Sequence, residues 1–301
     1  MKKPKKIDIH AHVTPYKQYA MPNRATGCSM VDSGELLGFY DRLNIEKGIL
    51  LPTCSAAGLY EVRTNGEIKS VVDRHPDRFH WFCYVDPQTG ANDPKEDLSY
   101  FLEFYKRLGA IGVGELSSQL PLDDPLVDNL FSHCEACSLP VTIHLAPISA
   151  KYGYYGLQDD LGLPRLEKML KKHKGLKILG HSQLFWAEIS ADVTEESRTG
   201  YPAGKVREGR IAELLRDYPN LYCDCSATSG ANAFQRDPEY AARFLEEFSD
   251  RVLYGCDICA VCNTFPFSFD AFLDRMVAEG MIREEVYYRL VRGNAERLFD
   301  I

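Results

Sequence analysis

The sequence predicts an α/β protein, a (β/α)8 barrel (TIM barrel) with extra C-terminal helices, on three observations. Eight short apolar, β-rich runs recur along the 301 residues. Helix-like stretches with apolar residues at spacings of three and four lie between them. No Gly-rich GxGxxG turn follows the first run, as an open doubly wound sheet binding a dinucleotide would require. Eight β/α repeats in roughly 250–300 residues is the barrel pattern.

The predicted strands are KIDIHAH (6–12), GILLPTC (48–54), FHWFCYVD (79–86), AIGVGEL (110–116), PVTIHLA (140–146), LKILGHS (176–182), LYCDCSA (221–227) and RVLYGCD (251–257). The clearest predicted helices are 34–45, 95–108, 125–138, 163–173, 209–218 and 238–250, then 269–280 and 283–299 after the last strand. Asp93–Pro94, Asp124–Pro125 and Asp237–Pro238 read as helix starts, with Asp as N-cap and Pro in the first turn. Leu108–Gly109, Lys174–Gly175 and Pro219–Asn220 read as helix ends. No linker or composition shift divides the chain, so residues 1–301 are expected to form a single domain. Two longer irregular segments, 13–33 and 183–206, follow strand ends, where a barrel carries its functional loops.

Hydrophobic residues make up 45% and charged residues 26%, an ordinary globular balance. The net charge of −8, from 35 Lys+Arg against 43 Asp+Glu, argues against nucleic acid as partner. The opening MKKPKK lacks an apolar region behind it and so is not a signal peptide. No run approaches the ~18 apolar residues of a membrane span. A cytoplasmic protein with a small-molecule substrate is expected, and a homo-oligomer is left open. The ten cysteines are expected to be reduced thiols in that setting. KYGYYG (151–156) is read as an interface or a lid.

Polar residues mark the C-terminal ends of the predicted strands: His10 and His12, Glu115, His144, His181 and Asp257. In a barrel all six converge on the mouth. Strand alternation puts Asp8, His10 and His12 on one side, with Ile7 and Ile9 packing outward on helices. Two imidazoles one layer apart suit a shared cation, and His144 and Asp257 close the site from other strands. Imidazole and carboxylate ligands fit zinc or another first-row divalent metal. A lone buried histidine is ordinarily a satisfied core residue; this many polar groups at one mouth would be costly to bury without a cation. His75, His80, His133 and His173 are expected in surface or structural roles. Cys256, Cys259 and Cys262 form two CxxC steps and Cys134–Cys137 a third, a spacing that can hold metal. No fourth cysteine follows in register, so the plain reading as small apolar side chains is preferred.

These residues resemble the amidohydrolase superfamily, in its amidohydrolase-related (amidohydrolase 2) branch. The likeness runs from DIHAH through IHLA, LGHS and LYGCDI to GNAERLF, essentially the whole chain. It implies a metal-dependent hydrolase acting on a small carboxylated amide, ester or lactone, with a non-oxidative decarboxylase of the same superfamily as alternative. It implies His10, His12, His144 and Asp257 as metal ligands, and one or two ions, zinc first and manganese or iron otherwise. Glu115 and His181 join them if the site is binuclear. Asp257 is then the base for the attacking water, His181 the group that polarises the substrate carbonyl, and Glu115 a bridge or a water-orienting group. Arg63, Arg236, Asn232 and Trp186 are candidate substrate contacts on the loops. Asp8 is left without a role.

Overall fold

The computed structural model describes residues 3–23, 26–55, 62–147 and 155–301. Parallel pairing joins β1 (Lys6–Ala11), β2 (Ile45–Leu50), β3 (Phe79–Cys83) and β4 (Ala110–Leu116) in that order. After the short β5 (Ser118–Pro121), the order continues through β6 (Val141–Pro147), past the short β7 (Gly156–Asp159), to β8 (Ile178–His181), β9 (Leu221–Asp224) and β10 (Val252–Leu253). The chain beyond β10 returns to β1. The Ile9 amide donates to the Tyr254 carbonyl (3.2 Å), the Asp257 amide to His10 (2.7 Å) and the His12 amide to Ile258 (3.0 Å). That seam closes the predicted barrel. The sequence did not signal β5 and β7, which pair with each other outside the main path, β7 also pairing with the end of β6.

The helices are α1 (Ser33–Leu43), α2 (Asn65–Arg74), α3 (Ser99–Arg107), α4 (Pro125–Ala136), α5 (Pro164–Lys172), α6 (Gln183–Ala187), α7 (Arg210–Asp217), α8 (Ala227–Gln235), α9 (Pro238–Glu247), α10 (Phe265–Ala278), α11 (Glu284–Tyr288) and α12 (Asn294–Phe299). Asp124 and Asp237 cap α4 and α9 as expected, accepting from the amides of Leu126 and Tyr240. Asp93 does not cap α3. Its carboxylate folds back on the Lys95 amide (2.9 Å) in a local turn, and the helix begins at Ser99, whose amide bonds Asp97 instead (3.1 Å). Among the described residues no helix is long and apolar enough to cross a membrane.

The first strand departs from simple alternation. Asp8 pairs with Gly48 and Ala11 with Leu50, so three steps on β1 face two on β2. This extra residue is a bulge, and it re-phases the side chains beyond it. Ile7 and Ile9 pack with Ile49, Leu51, Phe82, Leu179 and Leu253 of other barrel strands and strand ends, and with Ala295 and Phe299 of α12. Ala11 belongs to the larger core between barrel and helices. The expected outward packing of Ile7 and Ile9 is thus reversed. Asp8 points the other way, to the Tyr40 hydroxyl on α1 (2.8 Å). Its second oxygen accepts from the amides of His10 (3.0 Å) and Cys256 (2.8 Å). Asp8 is a rivet between the first strand, the last strand and α1.

Candidate metal centre

The bulge turns both His10 and His12 inward. His10 Nδ1 lies 2.6 Å from Asp224 Oδ2, and His12 Nδ1 lies 2.9 Å from the Leu51 carbonyl oxygen. A carboxylate and a carbonyl can only accept here, so each Nδ1 carries a proton, and in the neutral ring each Nε2 keeps its lone pair for a cation. The two Nε2 atoms face each other at 3.1 Å. Two lone pairs that close repel unless something positive lies between them. Carboxylate oxygens crowd the same point. Asp257 Oδ1 is 3.5 Å from His12 Nε2 and 3.8 Å from His10 Nε2, and Glu115 Oε2 is 3.6 Å from both. Donors sharing a tetrahedral ion at about 2.1 Å would lie about 3.4 Å apart, so this donor set fits a divalent cation. The ring Nδ1–H bonds to Asp224 and Leu51 are the outer contacts that orient a metal-bound histidine.

Two overlapping groups of ligand atoms meet the spacing for a cation: His10, His12 and Asp257, and His10, Glu115 and His181. His144 joins neither. Its Nδ1 is bonded to Glu115 Oε1 and its ring lies against Tyr155 (4.1 Å between centroids), so it reaches the centre through Glu115. His181 Nδ1 lies 3.0 Å from the Ser226 hydroxyl, and its Nε2 lies 3.6 Å from Glu115 Oε1.

Electrostatics follow the same geometry. Burial opposes a charge on His10, but Asp224, Glu115 and Asp257 outweigh it and hold its pKa well above the ordinary imidazole value. Burial would also raise Glu115, yet His144, His10 and His12 keep it well below the usual carboxylate range. Asp224, too, is lowered against its burial by His10 and His181. Burial and the neighbouring His10 lower His181, which favours its neutral form. The centre is a ring of carboxylates that prefers positive charge in its middle.

Local sequence explains the fit. Gly255 approaches so closely that a Cβ there would lie 2.7 Å from Ser226 Cβ and 3.0 Å from Asp224 Oδ1. Asp257 takes a left-handed backbone (φ 53°), which turns its carboxylate over the mouth. With a quarter of its side chain exposed, it is the most accessible member of the cluster. A cavity of about 90 Å³ opens there, lined by His12, Glu115 and Asp257 and by Arg63, Met21, Met30 and Tyr155.

Of the loop candidates, only Arg63 lines this mouth. Trp186, Asn232 and Arg236 line a separate small cavity. Trp186 is buried, packs on Phe234 and Phe244, and donates from Nε1 to the Asp224 carbonyl (2.8 Å). Asn232 Nδ2 donates to the Pro202 carbonyl (3.0 Å). Residues 226–237, read as a loop, hold helix α8, which carries Asn232 around and away from the mouth.

Asp224 and Ser226 were missed by sequence reading. The signal was present, since Asp224 is a carboxylate at a strand's C-terminal end like the other candidates. The cysteines needed correction as well. Cys28 and Cys262 form a disulfide, with Cα atoms 6.1 Å apart. The short antiparallel pairing of Met30 with Ala260 brings the two chains together, within the usual span for such a bridge. Cys256, Cys134 and Cys137 are buried thiols, as the plain reading expects. Of KYGYYG, residues 151–154 lie outside the described residues.

Comparison with known proteins places this geometry. No curated protein matches the chain significantly. Among solved structures it resembles 5-carboxyvanillate decarboxylase LigW from Sphingomonas paucimobilis, at 19% identity and a TM-score of 0.64, with 99% of each chain covered. It resembles the manganese complex of 5-carboxyvanillate decarboxylase from Novosphingobium aromaticivorans at 18% identity and a TM-score of 0.65, covering 98% of this chain and 96% of that one. A probable 2-pyrone-4,6-dicarboxylic acid hydrolase from Acinetobacter baumannii is similar at 14% identity and a TM-score of 0.60, covering 99% of this chain and 100% of that one. These likenesses establish the barrel fold. A family profile described as Amidohydrolase (Amidohydro_2) matches residues 7–301, and the chain therefore belongs to that amidohydrolase family.

Proposed function

We propose that the protein is a metal-dependent lyase that decarboxylates a small ring-bearing carboxylate without oxidation. The observation that carries this reading is the sharing of His10 Nε2. Both candidate ligand groups include His10, and with its Nδ1 committed to Asp224 only Nε2 is left for a cation. One ion is enough for decarboxylation, whereas bridged two-metal hydrolysis needs two ligand sets. The expectation of a hydrolase first, which leaned on Glu115 as a bridge, is reordered accordingly. Glu115 is anchored through Oε1 by His144, and its Oε2 faces His10 and His12. Similar structures named as decarboxylases support this order. Hydrolysis of a lactone, amide or ester is the second reading, favoured by the similar structure named as a hydrolase.

His10, His12 and Asp257 would hold the ion, with Glu115 alongside. The mixed imidazole and carboxylate set suits zinc, manganese or iron, and manganese is bound in one similar decarboxylase. Bound there, the ion supplies positive charge that anchors substrate oxygens and withdraws electrons from the reacting ring. The chain does the rest. Arg63, at the rim, is suited to grip a substrate carboxylate through paired N–H donors. Met21, Met30 and Tyr155 offer apolar walls for a ring. Neutral His181, steadied by Ser226, hydrogen-bonds a ring oxygen. Asp257 takes the proton of the substrate's ring hydroxyl and delivers it to the ring carbon that bears the carboxylate. The carbon–carbon bond then breaks, its electron pair returns to the ring, and carbon dioxide leaves.

The test is a screen of hydroxylated benzoates, lactones and amides with the metal-loaded protein, reading carbon dioxide release. Release from a benzoate is expected; turnover of lactones or amides alone would overturn the lyase reading. Arg63→Lys should raise KM about 10- to 100-fold, because a lysine cannot reproduce the fork. An unchanged KM would remove Arg63 from the substrate pocket.

A further inference from the structure

The second cavity lies between α6, α8 and the segment near Tyr201, and it shares no lining residue with the mouth. Arg236 and Ser229 both line it. Arg236 is half-buried, and its Nε and Nη2, the two N–H groups on one edge of the guanidinium, are buried without a hydrogen-bond partner. No carboxylate of the described residues pairs with it. Ser229 is 4% exposed, and its hydroxyl is likewise without a partner. Other polar groups around the cavity are engaged. Gln183 Nε2 donates to the Tyr201 hydroxyl (3.0 Å), and Asn232 Nδ2 to the Pro202 carbonyl.

The nearby carboxylates are occupied elsewhere. Asp237 accepts from the amides of Val206 (2.9 Å) and Tyr240 (3.2 Å) and from Lys205 (3.3 Å). Asp192 accepts from the Ser190 hydroxyl (2.6 Å). They act on Arg236 only at longer range. What remains is an edge of positive charge and a hydroxyl, all able to donate, with no acceptor among the described residues to receive them. A guanidinium has no acceptor capacity, so only an acceptor or an anion completes such a site. Leaving buried donors unmade is costly, more so for a charged group. The cavity volume is about 10 Å³, room for one body the size of a water molecule. Sulfate, phosphate and organic acids would fit only if the lining side chains moved.

We propose that this cavity is a binding site for a monatomic anion of the chloride class, held by Arg236 Nε and Nη2 and by the Ser229 hydroxyl. The anion joins α8 to the loop bearing Tyr201.

The test uses the full-length, metal-loaded protein in sodium chloride and in sodium gluconate at equal ionic strength. Chloride, and bromide in its place, should raise the melting temperature saturably, while gluconate and sulfate should not. The chloride NMR line should broaden in the presence of the protein. Arg236→Gln should abolish both responses, and Ser229→Ala should weaken chloride binding about tenfold, the loss of one hydrogen bond to a charged group. Should Arg236→Gln fold poorly, Arg236→Lys serves in its place; it keeps the charge, loses the fork, and is expected to weaken binding by more than Ser229→Ala. Identical melting in chloride and gluconate would overturn the proposal. So would a chloride response unchanged in the variants.

Discussion

His173 and the pair His10–His12 are equally hidden from water, and they do different work. His173, at the end of α5, is 2% exposed. Its Nε2 lies 3.0 Å from Asp128 Oδ1 and its Nδ1 3.4 Å from Glu135 Oε2, so both ring nitrogens meet acceptors. His10 and His12 have only Nδ1 matched in this way. Their Nε2 atoms point at each other and at the carboxylates of Asp257 and Glu115. Burial therefore does not separate a structural histidine from a ligand. The fate of the second ring nitrogen does: in the α4–α5 seam it closes a network, and at the barrel mouth it is held open.

Variants can break that contrast from either side. The largest effect is expected at Asp257, which both lines the mouth and completes the ligand group. Asp257→Ala should lower kcat on any substrate found by about 10²–10⁴-fold, the range for a lost proton-transfer group. A rate within a few-fold of wild type would remove Asp257 from the chemistry. Asp224 meets the cluster through His10 Nδ1 at 2.6 Å and, more distantly, His181 Nδ1 at 3.6 Å. Asp224→Asn should weaken metal affinity about 10- to 100-fold, measured by competition with a chelator, because it loosens the ring orientation. Unchanged affinity would mean the Asp224–His10 contact does not position the ligand. His173→Ala should do the opposite of both. It should cost about 1–3 kcal/mol of stability in denaturant unfolding, by stranding partly buried partners, and leave metal content at the wild-type level. Loss of metal in that variant would erase the distinction between the two regions.

The contrast also shows how far a sequence can be read. Polar residues at the ends of β1, β4, β6, β8 and the turn after β10 were visible because a barrel sends those ends to one mouth. His173 was set apart because it falls in a helix-like stretch rather than at a strand's C-terminal end. Asp224 obeyed the same rule as the ligands and needed only to be counted. Other features had no one-dimensional signal. The bulge between Asp8 and Ala11 is a matter of register with β2, and it decided which of Asp8, His10 and His12 face inward. The carbonyl of Leu51 is a backbone group and carries no residue signature. Cys28 and Cys262 are 234 residues apart, and only the closed barrel brings their loops together. Arg236 and Asn232 looked like mouth residues because 226–237 follows the seventh predicted strand, yet neighbouring apolar groups such as Phe234 fold the segment into α8. Position after a strand gave way there to packing against Trp186.

The central claim is that one His10 lone pair permits one ion. It is tested most directly by metal analysis of the native protein, with stoichiometry per chain read alongside activity. One equivalent of a divalent metal, lost together with activity on chelation and absent from His10→Ala, is the expected result. Two equivalents per chain, both needed for turnover, would contradict the single shared site and restore the bridged hydrolase reading.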